Sequence, residues 1–116
     1  MIGIGQIQEI LKQYERHGWT LRRVLLSAPL RESLPVSLFG TADVIAADFD
    51  AFWFSRPSAK GEAWELRSVS NAPFALVEVF DEDDEEEVRE ETRTEMETQL
   101  RERASKPIAR KLKDSA

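Results

Sequence analysis

From Asp81 onward the chain changes character, and the compact core is expected in what precedes it. Residues 81–116 carry 13 acids and 8 bases, whereas residues 1–80 carry 9 acids and 8 bases. The tail opens with Asp81-Glu-Asp-Asp-Glu-Glu-Glu87 and closes with Arg101, Arg103, Lys106, Arg110, Lys111 and Lys113. Acids first and bases last complement a helix dipole. Glu85–Arg89 and Glu97–Arg101 stand four apart in the favourable order. Val88, Met96, Leu100, Ile108 and Leu112 are too sparse for a sustained heptad, which argues against a long coiled coil. Pro107 ends or kinks the helix. The expected organisation is a compact α+β core over 1–80 and a charged, partly solvated helical tail over 81–116.

Within the core, Ile4, Ile7, Leu11 and Tyr14, with Ile10 beside them, recur at helical spacing against a polar opposite face. The helix should stop at His17-Gly18, where Gly18 can adopt a left-handed conformation and Trp19 folds back on the last turn. Trp19–Ser27 reads as a strand. Ala28–Gly40, with Pro29 and Pro35, reads as a connection containing a short extended piece at Val36–Phe39. Asp43–Phe54 reads as one long strand, Ser58–Gly61 as a turn, Glu62–Val69 as a third strand, Ser70–Pro73 as a turn and Phe74–Phe80 as a fourth strand. The expected fold is an N-terminal helix packed on one face of a mainly antiparallel four-stranded sheet, followed by the charged C-terminal helix.

With 116 residues, one domain is the default. No cysteine is present, which excludes disulfides, thiolate metal sites and thiol catalysis. The opening residues show no signal peptide and no apolar run reaches bilayer length, so the expected setting is soluble and cytoplasmic, without a membrane. A net charge of -6 opposes general binding to phosphate backbones, so nucleic acid is an unlikely partner. Arg101–Lys113 is a short basic segment with a thin apolar stripe. Gly3-Ile4-Gly5 lacks the context of a dinucleotide fingerprint. Asp81–Glu87 lacks the turn glycine of a calcium loop and reads as a solvated helix start. The single histidine, His17, belongs to a helix end.

Two surfaces remain. By period-two alternation, Ile45, Ala47, Phe49, Ala51 and Trp53 share one side of the long strand, and Asp48, Asp50, Phe52 and Phe54 the other. Leu21 and Leu25 oppose Arg22 on the first strand. Aligned registers would gather Arg22, Asp48, Asp50, Glu65, Arg67 and Glu78 on the face the first helix leaves bare. One reading of that face is a cross-strand salt-bridge surface. The other is a divalent-metal site built from Asp48, Asp50 and Glu65. Asp50 and Glu65-Leu66-Arg67, with Glu9 on the preceding helix, resemble the carboxylate pattern of metal-dependent nucleases. The resemblance departs from that pattern at Arg67, where a lysine is usual, because arginine does not usefully deprotonate.

Phe52, Phe54 and Phe80 on the same face call for a cover. Candidates are the Val88, Met96 and Leu100 stripe of the protein's own tail, a second subunit or another protein, with a small-molecule groove as the remaining alternative. The leading expectation is a non-enzymatic interaction module (an adaptor, a chaperone-like subunit or a homodimer) that needs no cofactor. Its rival is a metal-dependent hydrolase.

Overall fold

The computed structural model describes residues 3–69 and 74–105. The chain is α+β, as expected, but the sheet has five strands and is mixed. The elements are α1 (Ile4–Arg16), β1 (Thr20–Leu26), α2 (Ala28–Ser33), a 3₁₀ turn (Val36–Phe39), β2 (Asp43–Ala46), β3 (Ala51–Pro57), β4 (Gly61–Ser68), β5 (Ala75–Asp81) and α3 (Glu86–Ser105). The sheet order is β2-β1-β3-β4-β5, with β1 and β2 parallel and the other neighbours antiparallel.

The fifth strand comes from a break in the stretch expected as one long strand. β2 lies on one side of β1 and β3 on the other, so residues 47–50 must cross over the end of β1. Two inter-strand spacings amount to about 10 Å, which four extended residues span. Asp50 fixes the crossing: its carboxylate accepts the Ser27 backbone N–H at 2.7 Å and the Ser27 hydroxyl at 2.9 Å. Ser27 is the residue that caps α2, with Pro29 in the first turn. The segment expected as an extended piece at Val36–Phe39 is instead the 3₁₀ turn, closed by Gly40 at φ +59°.

α1 ends where the sequence places its end. Gly18 takes φ +83°, and the Trp19 N–H donates to the Tyr14 carbonyl at 3.0 Å. The His17 ring Nδ1 meets the Gln13 carbonyl at 2.8 Å, in keeping with a helix-end role. The apolar stripe of α1 packs Ile7, Ile10, Leu11 and Tyr14 onto Val24, Leu26, Phe52 and Phe54. Tyr14 stacks on Phe54 with centroids 3.9 Å apart and planes 9° from parallel.

The expected assignment of sheet faces is therefore corrected. The helix covers the Phe52 and Phe54 side, and these rings are 0% and 2% exposed. The opposite side, with Leu25, Ala51, Trp53, Trp64, Leu66 and Phe80, is covered by α3 through Met96 and Leu100. β3 is buried on both faces from Ala51 to Ser55, as befits the central strand of a three-layer arrangement.

A bulge in β1 sharpens the asymmetry. Leu21 pairs with Phe54 and Arg23 with Trp53, leaving Arg22 as the extra residue. Leu21 thus joins the α1 side while Leu25 joins the α3 side, although the sequence expectation set them on one face. Arg22 and Arg23, consecutive in sequence, both reach Trp64 on the α3 side.

The turn at Ser58–Gly61 forms as expected, with reciprocal Ser58 and Gly61 backbone bonds of 3.0 and 3.3 Å. The expected turn at Ser70–Pro73 and the expected helix end at Pro107 lie outside the described residues. α3 starts at Glu86, because Asp81 belongs to β5 and the next residues form a turn in which the Asp81 N–H donates to Asp84 Oδ2 at 2.9 Å.

Gly61 is a position of close approach. A Cβ there would collide with the Phe80 carbonyl oxygen and lie 2.8 Å from the Glu82 nitrogen, both backbone atoms that cannot swing aside. Gly61→Ala should therefore destabilise the protein by roughly 1–3 kcal/mol, read as a lowered urea midpoint at unchanged slope. A neutral outcome would mean that β4 and β5 are less tightly apposed at this end.

Candidate interaction surface

The candidate carboxylates do not converge. Asp48 pairs with Arg101 of α3 at 2.7 Å. Asp50 binds Ser27 at the end of β1. Glu65 accepts a short hydrogen bond from the Tyr14 hydroxyl of α1. Glu65 is paired with Phe54, four residues along β3 from Asp50, a separation of about 13 Å at strand rise. Among the described residues, no group of three His, Cys, Asp or Glu side chains is placed to hold a metal ion. The remaining members of the expected charged face divide as well, with Arg22 and Glu78 on the α3 side and Arg67 on the α1 side with Glu65.

The candidate partner-binding residues are redistributed too. Phe52 and Phe54 lie under α1, so they are unavailable to a partner. Phe80, Met96 and Leu100 are buried together between α3 and the sheet. Val88 is exposed on α3.

What docks α3 is largely arginine. Its inward positions are Arg89, Arg93, Met96, Leu100 and Arg103, spaced four, three, four and three apart, as one helical stripe requires. The Arg93 guanidinium lies 4.0 Å from the Trp64 ring centroid and 5.5 Å from that of Phe80. Arg89 sits over Phe80 at 5.6 Å and Arg103 over Phe74 at 3.9 Å. Cation–π contacts of this kind contribute about 0.5–2 kcal/mol each, the more so when desolvated.

Arg93 is 2% exposed. Its Nη1 donates to Glu86 at 2.7 Å and to Glu90 at 2.9 Å, and Glu90 also takes a two-pronged contact from Arg23 at 2.9 and 3.2 Å. Around this network lies a cleft of about 420 Å³, lined by Thr20, Thr41, Asp43, Trp64 and the charged groups themselves. Of the lining residues, Arg22, Arg23 and Arg93 are matched in number by Asp43, Glu62 and Glu86. The cleft therefore presents no surplus charge for an ionic ligand, and its chemistry is that of a clamp.

The surface left open lies at β5. Val77 pairs with Glu65 and Val79 with Ala63, which places Ala75, Val77 and Val79 on the α1 side of the sheet. α1 packs on β1 and β3 and touches β4 through Tyr14 and Glu65, and among the described residues this corner is left open: Val77 is 56% and Val79 49% exposed. The backbone is open as well. The Phe74 carbonyl accepts from Ser68 and the Glu82 N–H donates to Lys60, so even-numbered residues of β5 bond towards β4. By alternation, Ala75, Val77, Val79 and Asp81 turn their N–H and C=O groups outward. Asp81 is closed off, its N–H by Asp84 and its carbonyl by Arg89 Nη2 at 2.6 Å.

Among the described residues nothing caps this edge, and it carries neither proline nor lysine, an unusual liability for a protein to retain. The opposite edge, β2, is only four residues long. Among the described residues, no helix is long and apolar enough to cross a membrane.

No protein-family description matches this chain, and neither a curated protein nor a solved structure matches it.

The sequence reading missed Trp64 with its arginines, because an arginine was counted as solvent-facing. It missed Val77 and Val79 because alternation alone does not say which corner of a face its helix leaves uncovered. The four-three spacing of Arg89, Arg93, Met96, Leu100 and Arg103 was the available signal for the first.

Two consequences are measurable. A hydrogen bond from Arg93 holds the Glu86 carboxyl below its ordinary value, and a hydrogen bond from Arg23, then one from Arg93, does the same for Glu90. Groups with depressed pKa contribute stability that is present above their ordinary value near 4.5 and lost as pH falls through the lowered one. Arg93→Ala should lower stability at neutral pH by about 2 kcal/mol through lost stacking and packing, and flatten the acid limb of the stability curve. Arg93→Met should recover part of the packing but keep the acid limb shallower, with the part that Arg23 gives Glu90 remaining, so an unchanged acid limb in both variants would contradict the clamp.

Tyr14 is shifted the other way. Burial, then the hydrogen bond to Glu65, then that residue's charge, raise its pKa well above 10.0. Its contribution is complete below 10 and is lost as pH rises through the raised value. Alkaline denaturation of Tyr14→Phe should lack this component above about pH 10, as measured by urea titration at a series of alkaline pH values.

Proposed function

We propose that this protein is a non-catalytic interaction module that works in the cytoplasm and takes up a partner strand along β5. The observation that carries the reading is the outer edge of β5, where outward backbone groups and exposed valines coincide over Ala75–Val79. Strand addition uses these two elements together: main-chain bonds supply affinity and alternate side chains supply selectivity. The dispersal of Asp48, Asp50 and Glu65 removes the geometric basis of the hydrolase reading, since each carboxylate is engaged by a different element.

A photo-crosslinking side chain placed at Val77 tests this in the producing cell. Val36, 71% exposed and remote from the edge, is the control position. The module reading expects discrete adducts from position 77, to another protein or to a second copy, and none from position 36. Absence of adducts at 77, or equal yields at both positions, would reject it.

A further inference from the structure

Building on the interaction-module reading, we infer that the occupant of the β5 edge is a second copy of this chain, paired antiparallel through Ala75–Val79 about a two-fold axis at Val77. Three observations select this occupant and this register.

The first is charge. β5 leads directly into the seven-acid run Asp81–Glu87 at one end. At its other end, Arg103 stacks on Phe74 and Arg67 stands opposite Ala75 on β4. Antiparallel pairing sets the acidic end of each copy beside the arginine-bearing end of the other. Parallel pairing would oppose the acid run to itself, which is unfavourable.

The second is the pattern of outward groups. Ala75, Val77 and Val79 are the open positions, and Asp81 is sealed by Asp84 and Arg89. An axis at Val77 matches Val77 with its own copy and Ala75 with Val79 of the other. All three are hydrogen-bonded pairs that exchange N–H···O=C bonds in both directions. The ladder then ends where Asp81 is already satisfied.

The third is Glu78, which points to the α3 side opposite Trp64. An axis at Glu78 would set the two carboxylates face to face. The axis at Val77 sets each Glu78 opposite Leu76 of the other copy. The same register brings Val77 and Val79 of both copies into one apolar patch on the α1 side, and it joins two five-stranded sheets into one.

Sedimentation velocity over a concentration series reads the assembly directly. The expected result is a dimer that dissociates on dilution. Val77→Lys combined with Val79→Lys sets like charges together at the axis and should weaken it at least about tenfold. The fold should survive, because both side chains are exposed and circular dichroism checks it.

The chain has no cysteine, so single-cysteine variants report register cleanly. Paired residues in a ladder place their Cα atoms about 5.5 Å apart, within disulfide reach. Val77→Cys should oxidise to a linked dimer, whereas Val36→Cys and Val79→Cys alone should not. A strict monomer at high concentration overturns self-pairing. So does a dimer that ignores the lysine pair and yields no Val77→Cys disulfide. A monomer that still gives adducts to another protein from position 77 leaves the module reading standing, and loss of all adducts from 77 removes both.

Discussion

Arg93 placed over the Trp64 ring is the contact on which the α3 layer depends. The guanidinium is buried between an indole and two carboxylates, so its charge is balanced by direct ion pairs while it fills the place that an apolar residue would otherwise take. The bulge at Arg22 belongs to the same arrangement. By inserting one residue it turns both Arg22 and Arg23 to the α3 side, where Arg23 grips Glu90 and Arg22 reaches Ser55 and Glu62. A helix with few apolar residues is thereby held against the sheet by planar cations on aromatic rings, with Met96 and Leu100 filling the remainder.

This arrangement explains what the amino-acid sequence discloses and what it hides. α1 and its stop were legible because periodicity, Gly18 and Trp19 agree. The Ser58–Gly61 hairpin was legible for the same reason. The sheet faces were not. Ala51 to Ser55 is buried on both sides, and alternation carries no information about a strand with no solvent face. The break at residues 47–50 was hidden because the flanking residues are β-formers on both sides of it. What divides them is Asp50 binding Ser27, a long-range contact with no local signature.

The candidate site changed for a related reason. A large aromatic on a sheet is a demand for cover, and here each large aromatic finds its cover within the chain: Phe52 and Phe54 beneath α1, Trp53, Trp64 and Phe80 beneath α3. The open surface is made instead from two valines of modest size and from the backbone itself. Carboxylates that look like a cluster in sequence are each drawn to a separate neighbour, Asp48 to α3, Asp50 to α2 and Glu65 to α1.

The crossing over β1 also sets the order in which the chain can assemble. β3, β4 and β5 follow one another as a meander whose contacts are local, so they close small loops and can form early. β1 joins β3 only after the whole excursion from Ala28 to Phe49 has been folded back, a costlier closure. Asp50 clasping Ser27 ties the two ends of that excursion together at its neck. The clasp thus acts as a latch at the neck of the excursion, holding the parallel pair and the β3–β5 meander in one sheet.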